Sequence, residues 1–204
     1  MNELDLNFLA SLFSRFPGIG PRQAKRLVYF LLQDSSGLSQ SLGTKLLELK
    51  NSVRTCPDCC RYFTTFDKHA SAICKNCQEK SESRQLLIVE KDVDLENVLR
   101  LGVYNGLYFI LGAVIPMGQN INSLGRLPQL KERVTVLNKN NDLEVILGFS
   151  ANVEGDITEK AIHNYLLENF PNLKISALGK GLSSGTELEY SDSDTLREAL
   201  KNRH

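Results

Sequence analysis

A chain of 204 residues, 42% hydrophobic and 24% charged, can bury a real core as one large or two small domains. It shows no apolar run of about eighteen residues and no secretory leader, which excludes a helical membrane span and sets the expectation of a cytoplasmic protein. Formal net charge is zero, but residues 1–80 carry eleven Lys and Arg against seven Asp and Glu, and residues 81–204 thirteen against seventeen. A phosphate-binding surface is therefore expected in the N-terminal part.

From Leu4 to Phe16, Leu6, Leu9, Phe13 and Phe16 recur three and four apart, which predicts an amphipathic helix. The segment Phe16-Pro-Gly-Ile-Gly-Pro-Arg22 follows. Pro21 suits the first turn of a new helix, and Leu27, Val28, Phe30 and Leu31 continue an apolar face. The prediction is helix, tight hairpin, helix. Gly18 and Gly20 lack a Cβ and let backbone come close to a phosphate, with the N–H groups and dipole of the second helix behind them. Arg22 and Arg26 lie four apart on one face with Lys25 alongside, so they can reach adjacent phosphates. The alternative is a glycine turn between packed helices with solvated charges. The segment resembles the helix-hairpin-helix motif of DNA repair proteins, which favours DNA contact.

Residues 33–43 read as loop, and a further helix is predicted to run to about Val53. Cys56-Pro-Asp-Cys59 and Cys74-Lys-Asn-Cys77 then stand with fourteen residues between them. Two such knuckles can set four thiolates at the corners of a tetrahedron around a structural Zn²⁺, leaving no position for a reactive water. The alternatives are two disulfides or unmetallated thiols. Cys60 can substitute for Cys59, and His69 is a weaker rival ligand. A fifth cysteine without a partner argues against an oxidising compartment.

Beyond Cys77 the pattern alternates. Leu86–Glu90, Leu107–Leu111, Glu144–Phe149 and Lys174–Leu178 read as strands; Asp92–Leu101, Leu124–Leu137 and Thr158–Phe170 read as helices. This predicts a parallel α/β sheet, with a site at the carboxyl ends of its strands. Glu90 ends the first strand and Glu154-Gly-Asp156 follows a later one, so three carboxylates can converge there and hold Mg²⁺; solvated surface charge is the alternative. The arrangement looks like a Toprim domain. Gly179-Lys180-Gly181 and Ser183-Ser-Gly185 do not match a phosphate-binding P-loop and read as flexible loop. Thr186–Asp192 alternates as a half-exposed strand does, and Asp194–Lys201 reads as a closing helix.

Together these pieces resemble one family, the bacterial recombination mediators of the RecR type, over nearly the whole chain. The most specific are Phe16–Arg26, the paired knuckles, Leu87-Ile-Val-Glu90, Val153-Glu-Gly-Asp156 and Gly185-Thr-Glu-Leu-Glu-Tyr190. The resemblance implies a helix-hairpin-helix DNA-binding region over 1–54, a four-cysteine zinc finger over 55–80, a Toprim-like domain over 81–178 and an assembly tail over 179–204. It implies a non-catalytic role in recombinational repair, with RecO and RecF as partners in placing RecA on single-stranded gaps. It implies homo-dimers or ring-like homo-tetramers around DNA, Arg22 and Arg26 facing the nucleic acid, and Glu154 on the surface that meets RecO. The zinc would fix the hairpin region relative to the Toprim-like domain. The chain departs from the family pattern in a longer loop between knuckles, Arg instead of Lys at the first basic position, and Ala151-Asn-Val without Asn-Pro-Thr before the acidic motif. A Mg²⁺-dependent Toprim enzyme using Glu90, Glu154 and Asp156, and a zinc-stabilised adaptor that binds only proteins, are the competing readings.

Overall fold

The computed structural model describes residues 3–64 and 71–179. His69, the alternating segment 186–192 and the helix expected over 194–201 lie outside the described residues. The chain divides into two compact units at Val53 and Arg54.

In the first unit, α1 (Glu3–Phe13) packs against α2 (Pro21–Gln33). Their contact is built on Ala10, Ala24 and Val28, with Leu6, Phe13 and Ile19 around them. The alanines hold the two backbones close. The expected helix end at Phe16 is replaced by turns, with the N–H groups of Arg15 and Phe16 bonded to carbonyls three residues back. The third helix, α3 (Leu38–Ser52), starts inside the stretch expected to be loop. Asp34 explains the difference, because its carboxylate accepts from Leu38 N at 2.9 Å and fixes the start of the helix.

A two-stranded ribbon of β1 (Val53–Thr55), which begins at the boundary, and β2 (Tyr62–Thr64) leads into the second unit, followed by the short α4 (Lys75–Glu79). Four parallel strands follow, β3 (Gln85–Val89), β4 (Leu107–Ile110), β5 (Glu144–Gly148) and β6 (Lys174–Ala177), in the order β4-β3-β5-β6. The parallel α/β sheet expected from the alternation is thus present. The crossovers carry α5 (Asp92–Leu101), α6 (Leu127–Leu137) and α7 (Val153–Asn169).

β3 is buried on both faces, as its unbroken apolar run demands. Leu87 and Val89 join Tyr108, Ile110 and Leu95 of α5 on one side. Leu86 and Ile88 join Phe109, Val145, Leu147, α6, α7 and the cysteines on the other. Chain order and spatial order part between β3 and β5, where strands with opposite onward connections lie side by side. The crevice beyond their carboxyl ends, at Glu90 and Ser150, is where such sheets place ligands.

Candidate metal centre and nucleic-acid interface

Cys56 and Cys59 lie in a tight turn in which Cys60 N donates to Cys56 O at 2.9 Å and Cys56 N to Arg61 O at 2.9 Å. Cys74 caps α4 and Cys77 lies within it. The four sulfurs lie within 4.8 Å of one another, and all four residues are buried. Cys56 Sγ to Cys77 Sγ is 4.0 Å and Cys59 Sγ to Cys74 Sγ is 3.6 Å. A tetrahedron with metal–sulfur bonds of about 2.3 Å has edges of about 3.8 Å, so the donor set fits Zn²⁺. None of the five cysteines is in a disulfide, and the 3.6 and 4.0 Å separations are far longer than a sulfur–sulfur bond of about 2.05 Å.

The crowding has an electrostatic signature. Hydrogen bonds from Cys59, then Cys74 and Cys77, hold Cys56 far below the usual thiol range, whereas Cys56, then Cys59 and Cys74, push Cys77 far above it. A divalent cation resolves that conflict by taking four thiolates at once. Cys74 N also points at Cys56 Sγ, 3.4 Å away, in a bond that favours the thiolate. Cys60 is buried but stands outside the cluster, turned away by a left-handed backbone (φ 59°), and burial raises its thiol.

The knuckles are seated on the edge of the sheet. Ile110 N donates to Cys59 O at 2.9 Å, Tyr62 N to Asp92 Oδ1 at 3.1 Å, and Arg133 Nη1 meets Asp58 Oδ2 at 2.8 Å.

In the first unit, Gly18 adopts φ 77°, a conformation that closes the hairpin and disfavours any residue with a Cβ. Gly20 precedes Pro21 at the start of α2, and no side chain caps that helix. Nothing lies within 4 Å of where a Cβ would sit on either glycine. Arg22, Lys25 and Arg26 are all exposed, and α2 contains no acid. None of the three has an ion-pair partner among the described residues. The positive helix end, the open glycine turn and three cations therefore share one end of α2.

At the sheet's switch point Glu90 is 5% exposed, with Lys91 Nζ at 2.6 Å from Oε1 and Ser150 Oγ at 3.5 Å from Oε2. Glu154 and Asp156 do not lie in a loop before the helix; α7 begins at Val153, and both acids occupy its first turn. Asn152 causes the early start, since its side chain accepts from Gly155 N at 2.8 Å and caps the helix. Glu154 Oε1 faces Met117 N at 3.4 Å. Among the described residues the four cysteines form the one group of three or more candidate ligands gathered closely enough for a metal. Glu90, Glu154 and Asp156 do not form such a group.

The chain is 35% identical to the recombination protein RecR of a Synechococcus species over 93% of its own length and 92% of that protein's. The recombination protein RecR of Rickettsia massiliae is 33% identical, covering 99% of this chain and 96% of its own, and that of Herpetosiphon aurantiacus is 33% identical over 94% and 89%. No family model matches. The chain belongs to the RecR family.

RecR membership accounts for the order of parts: a helical N-terminal pair, a four-cysteine cluster and a parallel four-stranded sheet. No helix of the described residues is long and apolar enough to cross a membrane. Sequence reading missed Asp58, Arg126 and Arg133, which join the RecR knuckles to α6 and β4. A single arginine in an amphipathic helix looks like a solvated charge until its partner is known. The only hint was that Arg133 falls among apolar neighbours, between Leu130 and Val134.

Proposed function

We propose that this chain is a non-catalytic, DNA-binding mediator of recombinational repair that works with RecO and RecF to help place RecA on single-stranded gaps. The observation that carries the reading is the end of α2. Arg22, Lys25 and Arg26 stand exposed beside an open glycine turn, with no acid in the helix to neutralise them. Such a surface binds phosphates and reads no bases, so affinity falls steeply with salt and shows little sequence preference. Because the formal charge of the whole chain is zero, one copy binds weakly. A homo-dimer or ring-like tetramer sums the contacts and raises the effective concentration of each.

The zinc in this reading is structural, because Cys56, Cys59, Cys74 and Cys77 supply a full tetrahedral set. Glu154, at the crevice where sheets of this topology bind ligands, belongs to the surface offered to RecO. The phosphoryl-transfer alternative draws no support from the acidic edge, where Lys91 already neutralises Glu90.

The test is DNA binding by the Arg22→Ala, Arg26→Ala double variant at equal salt, on single-stranded and duplex DNA. Weaker binding to both is expected. Affinity equal to the parent's would remove the α2 end as the DNA surface.

A further inference from the structure

Between the zinc knuckle and the acidic edge runs one segment, residues 110–117, whose backbone is held at Ile110, Leu111, Gly112, Ile115 and Met117. Ile110 N donates to the carbonyl of the zinc ligand Cys59 at 2.9 Å, and Ile110 O accepts from Arg126 Nη1 at 2.8 Å. Leu111 N and Gly112 N then donate to Val89 O at 2.9 Å and Glu90 O at 2.8 Å. Ile115 N donates to Thr158 Oγ1 at 2.8 Å, and Met117 N faces Glu154 Oε1 at 3.4 Å. Thr158 itself donates to Glu154 O at 2.7 Å, so both ends of the Glu154 residue are tied to this segment or its anchor.

We propose that residues 110–117 act as a strap, with Arg126 as its positioning residue, through which the occupied four-cysteine site holds Glu154 in place for a protein partner. The partner clause rests on the reading above; the coupling along the strap does not.

Three features make the strap a connector and not a passive loop. Gly112 has φ 89°, and a Cβ there would lie 3.0 Å from the Arg126 guanidinium carbon, so the backbone bends at the one residue that admits the arginine. Arg126 has no carboxylate partner among the described residues and spends its donor on Ile110 O. Ile115 is buried and Met117 is 70% exposed, so the strap is rooted in the core and emerges beside Glu154. When the metal leaves, the Cys56–Cys60 turn loses the ion that pins Cys59, and the first bond of the strap goes with it. Emptying the site therefore frees the acidic edge without touching it.

Backbone hydrogen exchange on the full-length protein tests the coupling, with zinc bound and after its extraction under reducing conditions. Exchange at Ile110, Gly112, Ile115 and Met117 is expected to rise on extraction about tenfold or more beyond any rise at Ile162 and Leu166 in α7, which share the core with the cysteines. Unchanged strap exchange, or an equal rise at Ile162 and Leu166, overturns the proposal. Arg126→Ala is expected to raise strap exchange with the zinc content intact and to weaken capture by purified RecO about tenfold, leaving DNA affinity unchanged. Arg126→Gln, which keeps a donor, is expected to restore part of both. Zinc retained with strap exchange at the parent's level would remove Arg126 from its assigned role. Normal coupling in a protein that never binds RecO would instead refute the partner reading and leave the strap standing.

Discussion

Arg133 on α6 and Asp58 in the first knuckle, 75 positions apart in the chain, meet in an ion pair of 2.8 Å with the arginine side chain 9% exposed and the aspartate 31%. Arg133 Nε is buried with no partner among the described residues, so the ion pair with Asp58 is a main compensation for taking the arginine out of water. Removing one member of a buried pair costs about 3–5 kcal/mol, and the partial exposure of Asp58 places the loss for Asp58→Ala at about 2–3 kcal/mol. In a unit of this size that is a fall in Tm of roughly 5–10 °C. The double variant Asp58→Ala, Arg133→Met, which removes the stranded charge, is expected to recover most of it. A thermal scan of the three proteins checks this. An Asp58→Ala protein melting with the parent would mean that the pair contributes nothing.

Gly155 supports a second prediction. A Cβ there would collide with Ser150 O, a backbone atom that cannot move aside cheaply. The close approach brings the first turn of α7 against the end of β5, and it sets the place of Glu154. Gly155→Ala is therefore expected to cost about 1–3 kcal/mol through overpacking and to shift Glu154, despite alanine's better helix propensity. Urea unfolding, with an unchanged m-value, is the measurement. Stabilisation by the alanine would show that the turn relaxes freely.

The parallel sheet was legible because β3 and β4 are unbroken apolar runs and α5 is bounded by acids at its start and Gly102 at its end. The four-cysteine cluster was legible because Cys-x-x-Cys spacing is itself geometry. Two helix starts were not. Ser, Asn and Gly in 34–43 and 150–156 signal loop by propensity, whereas one side chain in each, Asp34 and Asn152, captures a backbone N–H and turns the stretch into helix. Capping depends on a single hydrogen bond and leaves no periodicity to read. The pairing of Arg133 with Asp58 was hidden for a different reason, since no local pattern links residues so far apart.

Asp34 gives a pH prediction. Its carboxylate is held below the ordinary value of 3.8, first by the Ser36 hydroxyl at 2.7 Å and then by Leu38 N. A depressed folded value means that its contribution is complete above 3.8 and is lost as pH falls through the lower folded value. As pH falls below 3.8 and through that lower value the parent should therefore lose the start of α3, and Asp34→Asn should show less of that acid dependence. Far-UV circular dichroism between neutral and acid pH checks the difference. Identical acid profiles for the two proteins would mean that the bond from Leu38 N to Asp34 does not hold the start of α3.

The metal itself supplies the last prediction. Four buried sulfurs within 4.8 Å of one another make a poor core without a cation, and the ribbon, α4 and the edge of β4 all rest on them. Extraction is thus expected to unfold the knuckles, and Cys74→Ser to abolish stoichiometric zinc while lowering stability by several kcal/mol, since the binding energy of such a site is folding energy. Cys60→Ser should keep one zinc per chain, because Cys60 lies outside the cluster. Elemental analysis of reduced protein, paired with thermal melts, separates the two variants. If Cys60→Ser lost its zinc and Cys74→Ser kept it, the ligand set would have to be redrawn around Cys60.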